Sequence, residues 1–419
     1  MNLCQNSSWE EEKIKTLFIE RVEKNINSNK DYLSIVKDVG VVPYSEKGNV
    51  GNKTSDNPEN YKMVYPDDLV INPMNIKIGS VGISRYSGCL SNVYMVLKPK
   101  KNLIPNFYGY LFELKPFQRS LRKISTGIME IRESINKIEF YSLRLPYPPL
   151  YEQKQIVEFL DTKTELIDSL IEKTESKIEL LKEKRTSLIN ETVTKGLNPN
   201  VDMKDSGMEW IREIPIHWET SKLGFYTTKI GSGSTPRGGS EVYVDSGIPF
   251  IRSQNVHFDG LRIDGISFIK DEVHHSMKGS TVVKNDILLN ITGGSIGRCC
   301  VVKIDREMNV NQHVSIIRTT NKLKNLFLNF ILSCDLGQSQ VKFNMSGGNR
   351  EGLTIEGIRD FQITLPPINE QQQIVEYLDE QTGIIDKTIS NEEKRIELLK
   401  EYRQSLISEV VTGKRKVTN

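Results

Sequence analysis

Two glycine-rich stretches are the first places in this sequence where chemistry could occur, because glycines let a backbone wrap around a phosphate group. The stretch 231–236 lacks the last glycine of the GxGxxG pattern, and 292–298 lacks the lysine of a phosphate-binding loop. A nuclease of the PD…ExK type can be assembled from Pro66-Asp67 and Glu113-Leu-Lys115, but two such short motifs so far apart arise by chance. The sequence therefore predicts turns at the glycines and no catalysis in this chain.

Cysteine and histidine are also spaced unfavourably for a metal site. The cysteines show no CxxC spacing, and His274 and His275 are adjacent rather than one helical turn apart. Buried free thiols are the prediction for Cys4, Cys89, Cys299, Cys300 and Cys334.

One long stretch occurs twice and organises the chain. Residues 145–196 return after 365 at a constant offset of 218, as in the pair Glu152 and Glu370. In both copies apolar residues alternate between spacings of three and four. This 3.5-residue period predicts two helices of about forty residues, and the simplest way to bury two matching seams is to pack these helices against each other. If they lie antiparallel, each globule lies at the opposite end of a shared rod. Arg185 and Arg403 lie on the seam, where they either fix the register or extend to the surface.

Each repeated helix follows a globule of mixed helices and strands. In the first globule we predict a helix near 14–19, strands at 68–72 and 93–97, a helix at 107–122 and a closing strand at 139–145. In the second we predict strands at 286–290 and 360–365 and a helix at 326–336. The predicted fold class is α+β: two α/β domains at 1–144 and 197–364, separated by long helices at 145–196 and 365–419 that form an antiparallel coiled coil, in an internal pseudo-twofold duplication.

The composition is that of an ordinary globular protein with two or three domains. The 419 residues are 37% hydrophobic and carry a net charge of +2. No run of eighteen apolar residues occurs, and the polar, acidic start MNLCQNSSWEEEK is unlike a signal peptide, so we expect a cytoplasmic protein without membrane contact. The near-neutral charge is only a weak signal for nucleic acid, because a dedicated backbone binder would be more cationic.

The linker and the helix starts carry a more specific signal. The linker reads KGLNPNVDMKDSGMEWIREIPIHW from Lys195 to Trp218, and both helices begin with EQxxIVxxLD after a proline-rich break. These motifs resemble those of the specificity subunit of type I restriction-modification systems, and the resemblance covers nearly the full chain.

The resemblance implies a non-catalytic subunit that reads a bipartite, asymmetric site on double-stranded DNA, with one half-site for each domain. It also implies that the helices dock two methyltransferase subunits, which methylate adenine, and that restriction subunits join them. S-adenosylmethionine, ATP and Mg²⁺ are expected on those partners, and no cofactor is expected here. The docking candidates are the motif residues Glu152, Gln153, Ile156, Glu370, Gln371 and Ile374.

An adenine methyltransferase would itself carry a [DNS]PP[YFW] motif, which neither Asn72-Pro-Met74 nor Tyr147-Pro-Pro-Leu150 supplies. For base reading we look instead to Arg, Lys, Asn, Gln and Ser side chains on loops, which otherwise are solvated surface residues. The candidates are Asn75, Lys77, Ser80 and Arg85 in the first domain and Arg237, Arg252, Gln254, Asn255, Ser295, Arg298, Asn349 and Arg350 in the second. Asn349 and Arg350 are favoured because two glycines precede them and allow close approach of the backbone.

A second class of function fits the duplication and the coiled coil equally well. A scaffold whose two globules bind proteins rather than DNA would show the same helices. Only the linker and the helix-start motifs favour the restriction-modification interpretation.

Overall fold

The computed structural model describes residues 4–6, 8–26, 31–48, 58–126, 134–236, 239–346 and 352–417. The chain divides into two units, of which unit 1 contains 1–175 and 393–419 and unit 2 contains 176–392. Each long helix therefore begins in one unit and ends in the other.

The first half of the chain contains twelve described strands and five described α-helices. The strands are β1 Glu10–Lys13, β2 Phe18–Glu20, β3 Leu33–Val36, β4 Gly40–Pro43, β5 Lys62–Val64, β6 Leu69–Ile71, β7 Val81–Ile83, β8 Gly88–Leu90, β9 Met95–Pro99, β10 Ser125–Thr126, β11 Ser134–Ile135 and β12 Arg144–Tyr147. The helices are α1 Ile14–Leu17, α2 Pro105–Glu113, α3 Lys115–Ser120, α4 Lys137–Ser142 and α5 Leu150–Lys195.

The second half contains fifteen further strands and five further α-helices among the described residues. The strands are β13 Met203–Met208, β14 Ile211–Pro215, β15 Glu219–Lys222, β16 Thr227–Ser232, β17 Tyr243–Val244, β18 Ile248–Ile251, β19 Val256–His257, β20 Gly260–Leu261, β21 Ser267–Ile269, β22 Thr281–Val282, β23 Ile287–Asn290, β24 Cys299–Val301, β25 Met308–Val310, β26 Val314–Thr319 and β27 Gln362–Leu365. The helices are α6 Asp271–Ser276, α7 Asn325–Ser333, α8 Asp335–Ser346, α9 Ile355–Arg359 and α10 Ile368–Val411.

A four-stranded antiparallel sheet of the same strand order lies in each unit. The order is β2-β9-β6-β7 in unit 1 and β16-β26-β23-β24 in unit 2. The central strands are apolar without alternation because both faces are covered. In unit 2, Ile287 and Leu289 join the core formed with the helices, whereas Leu288 between them joins a second core on the other face. Each sheet is therefore a fixed platform between a helical layer and a β-rich lobe.

The lobes on the second face differ between the units. Unit 1 has two separate strand pairs, β3-β4 and β5-β8. Unit 2 has a five-stranded mixed sheet of order β17-β21-β18-β25-β22 and the small hairpin β19-β20. The linker of unit 2 adds the hairpin β13-β14.

The long helices pair in both units, as the seam predicts. In unit 1 the start of α5 shares a core with the end of α10, and in unit 2 the end of α5 shares a core with the start of α10, so the helices run antiparallel. The residues that meet include Ile156, Leu160, Leu406 and Val410 in unit 1 and Ile189, Val193, Ile374 and Leu378 in unit 2.

The two seam arginines pair across the helices. In unit 1, Arg403 Nε donates to the Asp168 carboxylate over 3.0 Å. In unit 2, Arg185 Nε donates to Asp386 over 2.8 Å. Each pair is the other shifted by 218 residues, so the duplication extends to the contacts between the helices.

A tryptophan closes each end of the helix pair. Trp9 Nε1 donates to Glu152 at the start of α5 over 2.8 Å, and Trp218 Nε1 donates to Glu370 at the start of α10 over 3.0 Å. The same rings lie against Gly413 and Gly196, which follow the ends of the opposite helices. Both glycines have positive φ, 76° and 75°, which is the common conformation of the residue that follows a helix end.

Several predicted elements of the globules are wrong in detail. The helix predicted at 107–122 is divided into α2 and α3, because Leu114 is extended and Pro116 cannot continue the hydrogen bonding of the preceding turn. The helix predicted at 326–336 likewise ends at the extended Cys334, where α8 begins. Most of the strand predicted at 139–145 is α4, which Asn136 caps by accepting from the backbone of Ile138 and Glu139. The helix predicted near 14–19 is one turn between β1 and β2.

The cysteines are free, and Cys89, Cys299, Cys300 and Cys334 are buried as predicted, whereas Cys4 is half-buried. Burial raises the pKa of the Cys89 thiol to about 11 and that of Cys300 to about 12, so these thiols are protonated at neutral pH. Among the described residues no group of three or more His, Cys, Asp or Glu side chains is placed to hold a metal ion. In the same part of the chain, no helix combines the length and apolarity needed to cross a bilayer.

Candidate nucleic-acid interface

Four loops of unit 2 meet at one end of its four-stranded sheet, and we call them the unit 2 rim: 233–236, 252–255, 291–298 and 311–313. At this end β16 and β23 stop, and β24 and β26 begin. Gly233 N–H donates to the Val314 carbonyl over 3.1 Å, and Asn311 N–H donates to the Ile251 carbonyl over 3.0 Å. Gly233 must be glycine here, since a Cβ would collide with the Val310 carbonyl. The strands therefore fix where each loop of the rim begins.

A buried asparagine joins two of the predicted base-reading segments. Asn290 ends β23 and is 0% exposed. Its Nδ2 donates to the Ser253 carbonyl over 2.8 Å and to Ser295 Oγ over 3.1 Å. The structure thereby brings the segment with Arg252 and Gln254 next to the segment with Ser295 and Arg298, although about forty residues separate them in the sequence.

The rim also contains a row of hydrogen-bonded polar side chains that the sequence analysis missed. Thr235 Oγ1 donates to Gln312 Oε1, and Gln312 Nε2 lies 3.2 Å from His313 Nε2. His313 Nδ1 and Thr292 Oγ1 are hydrogen-bonded over 2.6 Å. Amide, imidazole and hydroxyl groups held in a row can form hydrogen bonds with the donors and acceptors on the edges of DNA bases. The signal in the sequence was the polar run Asn311-Gln-His313 directly before a buried strand.

The predicted residues of unit 2 have different environments. Gln254 is exposed, Arg252 and Arg298 are half-buried, and the Arg252 guanidinium lies 5.2 Å from the centre of the Tyr243 ring. Asn255 is buried, and its amide accepts from the Arg252 N–H and donates to the Arg262 carbonyl, so it fixes the loop. Arg237, Asn349 and Arg350 lie outside the described residues.

The equivalent loop of unit 1 is 72–80, which connects β6 to β7 at the same end of the sheet. It contains Asn75, which is exposed, Lys77, which is half-buried, and Ser80, which is buried. The turn of the β3-β4 hairpin lies against it, because Asp38 N–H donates to the Gly79 carbonyl over 3.1 Å. We call 72–80 and the hairpin turn 37–39 the unit 1 rim.

Basic side chains of a neighbouring helix flank the unit 1 rim. The helix α3 and the turn that follows it pack on 76–78 and carry the exposed side chains Arg119, Arg122 and Lys123. Lys115 at the start of α3 forms an ion pair with Asp38 of the hairpin turn. Cations in this position suit phosphate contacts, which orient DNA without reading its sequence.

Arg85 does not join the other candidates of unit 1. It follows β7, whereas the rim loop precedes β7. The neighbouring Ser84 N–H donates to the Asp68 carbonyl over 2.8 Å, which places this segment at the opposite end of the sheet. Arg85 and Lys77 therefore cannot contact the same base pair through this platform.

The end of each sheet opposite the rim is held by a buried ion pair. In unit 1, Arg21 donates from Nε and Nη2 to both oxygens of Asp68 over 2.8 and 3.0 Å. In unit 2, Arg318 donates to Asp286 over 2.7 and 2.8 Å. The hydrogen bonds to these carboxylates raise the pKa of both arginines. These charges pair with each other at the far end of each sheet, so they do not bind a ligand at the rim.

The predicted docking residues lie largely inside the units. Gln153, Ile156, Gln371 and Ile374 are buried. Gln153 Oε1 accepts from the Ile104 N–H and Gln371 Oε1 accepts from the Lys324 N–H, over 2.9 and 2.8 Å. With Glu152 and Glu370 bonded to tryptophans, the shared motif attaches each helix start to its own unit.

Comparison with known proteins identifies this arrangement. The model of the family described as type I restriction modification DNA specificity domain matches residues 6–180 and again 215–401. The MjaVIII specificity subunit of Methanocaldococcus jannaschii is 26% identical over 339 residues, which cover 79% of this chain and 75% of that protein. The EcoBI specificity subunit of Escherichia coli is 25% identical over 398 residues, covering 92% and 81%.

Two solved structures share the fold. A chain from work on complex assembly and conformational transition of a type I restriction-modification system has a TM-score of 0.74, 15% identity and coverage of 97% and 98%. The HsdS subunit of Thermoanaerobacter tengcongensis has a TM-score of 0.58 and 16% identity, with 98% of each chain covered. The predicted fold class is confirmed. The relatives are named as specificity subunits, which supports the prediction of a non-catalytic component, and this chain belongs to the type I restriction-modification DNA specificity family.

Proposed function

We propose that this chain reads a bipartite, asymmetric site on double-stranded DNA, with one half-site at the rim of each unit. The observation that carries the proposal is that both sheets present loops at the same end while the side chains on those loops differ. A platform repeated with different polar groups is suited to reading two different half-sites. The family match to a DNA specificity domain favours this proposal over a scaffold that binds only proteins. Such a subunit works in the cytoplasm, beside the chromosome.

In this proposal the two rims make different kinds of contact with DNA. The hydrogen-bonded row of Thr235, Gln312 and His313 provides donors and acceptors for base edges in unit 2. The basic surroundings of Lys77 in unit 1 contribute more contacts to phosphates, so Asn75 is the principal base-reading candidate there. Each good base contact contributes about 1–3 kcal/mol of discrimination.

We test the assignment by replacing Gln312 with Ala in cells that contain this chain and its methyltransferase, and mapping N6-methyladenine across the genome. The expected result is a relaxed preference at one base pair of one half-site, by about 10- to 100-fold, with the other half-site unchanged. Asn321→Ala is the control, because Asn321 is exposed just beyond the far end of β26. Relaxation in both half-sites, or none in either, contradicts the assignment.

We further propose that the outer faces of α5 and α10 dock two methyltransferase subunits, with restriction subunits joining that complex. Four exposed apolar residues repeat at the offset of 218: Leu166 and Ile384 are 55% and 56% exposed, and Leu180 and Leu398 are 64% and 55% exposed. Leu166 and Leu398 belong to unit 1, and Ile384 and Leu180 belong to unit 2. Two equivalent apolar pairs suit two copies of one partner. The buried motif at the helix starts would then orient this surface rather than touch the partner.

Stoichiometry tests the docking surface. Leu166→Lys should lose one of two methyltransferase copies, and Leu166→Lys with Ile384→Lys should lose both, as measured by the mass of the purified complex. Glu175→Lys and Glu393→Lys are the matched controls, because both residues are exposed on the same helices at the same offset but lie on a different helix face from the four apolar residues. Two retained copies in the double variant would move the docking surface elsewhere.

A further inference from the structure

A cleft lined by tyrosines opens in the lobe of unit 1. It has a volume of about 500 Å³, and its walls include Tyr32, Tyr44 and Tyr86. Asp31 and Ser87 contribute polar groups at its edge. A cleft of this size is within the range of small-molecule sites, which combine aromatic walls with a few polar groups.

The three tyrosines come from separate segments that backbone hydrogen bonds hold in place. Tyr44 N–H donates to the Tyr32 carbonyl over 2.8 Å, which joins the two strands of the β3-β4 hairpin. The Ser84 hydroxyl donates to the Tyr86 carbonyl over 2.8 Å and accepts from the Tyr86 N–H over 3.2 Å. The Tyr32 ring also meets the Tyr61 ring edge-on at 6.0 Å. The walls are therefore formed before any ligand arrives, which lowers the entropic cost of binding.

The chemistry of the walls selects among ligands. Aromatic walls accept either a flat ring, by stacking, or a cation, by its attraction to the ring face. The Lys47 ammonium already lies 4.1 Å from the centre of the Tyr44 ring, so this ring already has a cationic partner. A flat ring with polar edges can stack on the tyrosines, and its N–H groups can donate to the Asp31 carboxylate, which also lines the cleft. The exposed Arg85 directly precedes Tyr86 and supplies a cation for an adjoining phosphate.

We propose that this cleft binds the base of an unpaired nucleotide in a DNA strand. A base inside a duplex has both faces covered by its neighbours, so only an unstacked base can enter. The proposal gives Arg85 a role that the unit 1 rim does not, since Arg85 lies at the other end of the sheet. Among the described residues, unit 2 has a five-stranded sheet in place of this lobe, so we assign the site to unit 1. It rests on the proposed function in assigning the ring to DNA rather than to a free nucleotide.

Fluorescence of 2-aminopurine tests the proposal with the full chain. A single-stranded hexanucleotide with a central 2-aminopurine should be quenched as the protein is added, because stacking on an aromatic ring quenches this base. Tyr86→Leu should weaken that binding by about 5-fold or more, since one base stacked on an aromatic ring contributes about 1–3 kcal/mol. Tyr86→Phe keeps the ring and should bind like the unchanged protein. Equal binding by Tyr86→Leu and the unchanged protein overturns the proposal.

Three further measurements complete the test. Phe225→Ala removes an exposed aromatic ring of unit 2 and should leave quenching unchanged; a loss there as large as in Tyr86→Leu overturns the assignment to this cleft. Displacement of the hexanucleotide by an equal concentration of dAMP assigns the cleft to free nucleotides and overturns the strand assignment, whereas failure to displace supports it. Methylation mapping is read separately, so a chain that quenches the hexanucleotide but directs no specific methylation disproves the proposed function and keeps this inference.

Discussion

Unit 1 and unit 2 hold the same buried aspartate with arginines from different strands. Asp68 and Asp286 precede equivalent strands and are separated by 218 residues, but Arg21 follows the edge strand β2 whereas Arg318 lies on β26. Both arginines make the same two-bond contact with the carboxylate. The duplication has therefore preserved the buried ion pair rather than the position of its cation, as expected where an isolated buried charge is expensive.

The lobes and rims, in contrast to the buried ion pairs, differ between the two units. The platform, its strand order and the attachment of the long helices are the same in both units, while the lobe changes from two strand pairs to a five-stranded sheet. The unit 1 rim is flanked by cations of α3, whereas the unit 2 rim combines a hydrogen-bonded polar row with Arg252 and Arg298. Features that position the loops are thus kept, and features that would touch a ligand differ. If the features shared by both units are energetically equivalent, matching substitutions in the two units should have similar costs.

The largest expected effect comes from removing the charge of the buried aspartates. Asp68→Asn and Asp286→Asn keep the shape but leave an arginine without its counter-charge, which costs about 3 kcal/mol or more. The Arg21 side chain is 19% exposed and that of Arg318 is 37% exposed. Water can therefore compensate Arg318 better, and Asp68→Asn should be the more destabilising. Urea unfolding followed by hydrogen exchange in peptides of each unit measures both values.

The control is Asp259→Asn in unit 2, an exposed carboxylate that pairs with Arg262 at the surface. Its cost should be within about 0.5 kcal/mol of zero. If Asp286→Asn lowers the free energy of unfolding as little as Asp259→Asn does, the two buried ion pairs do not contribute equally to stability.

The sequence predicted the long helices well because their period extends over many turns, whereas short elements depended on single residues. Pro116 divides α2 from α3, and the cap Asn136 produces α4 where aromatic residues had indicated a strand. The rim was predicted only in part. Thr235 and Gln312 are 77 residues apart, and nothing in the sequence of either shows that the sheet brings them together. Loop candidates can be chosen by residue type, but their grouping requires the register of the strands.

The next largest loss of stability is expected from substitution of the glycines that follow the two long helices. Gly196→Ala and Gly413→Ala place a Cβ on a residue with positive φ, which costs about 1–3 kcal/mol. Each Cβ would also lie 3.0 Å from a tryptophan, Trp218 or Trp9. The Cβ at position 413 would in addition collide with the Asn6 Cβ, whereas the Cβ at position 196 meets no atom closer than Trp218, so Gly413→Ala should be the more costly. Thermal unfolding of both variants checks the order, and Gly207→Ala, also at positive φ but with no neighbour near its Cβ, isolates the backbone cost.

A smaller predicted effect is a pH dependence of folding stability that differs between the two units. Burial raises the pKa of the Glu113 carboxyl at the end of α2, with Asp168 and Asp38 adding to the rise and Arg403 and Lys115 opposing it. The equivalent residue at the end of α7 is the uncharged Ser333. A raised pKa means that stability is fully present below the unfolded value of 4.5 and is lost as pH rises through the folded value. Glu113→Gln should therefore stabilise unit 1 more at pH 7 than at pH 4, whereas the exposed Glu165→Gln should show no such difference.

The smallest effect tests the symmetry of the helix pair itself. Arg185 with Asp386 and Arg403 with Asp168 have bonds of 2.8 and 3.0 Å, and in each pair the carboxylate is about half exposed. Pairs of this kind contribute about 0.2–1 kcal/mol, because water screens the charges and two long side chains must be ordered. Double-mutant cycles with alanine should give coupling energies that agree within about 0.3 kcal/mol and that fall together as salt is added. If the arginines fix the register of the helices, each Arg→Ala variant should in addition change hydrogen exchange along both helices of its unit. Hydrogen-exchange protection that changes only within one turn of the substitution would show that the apolar seam alone sets the register. A coupling energy in one pair and none in the other would show that the two pairs have the same geometry but contribute differently to stability.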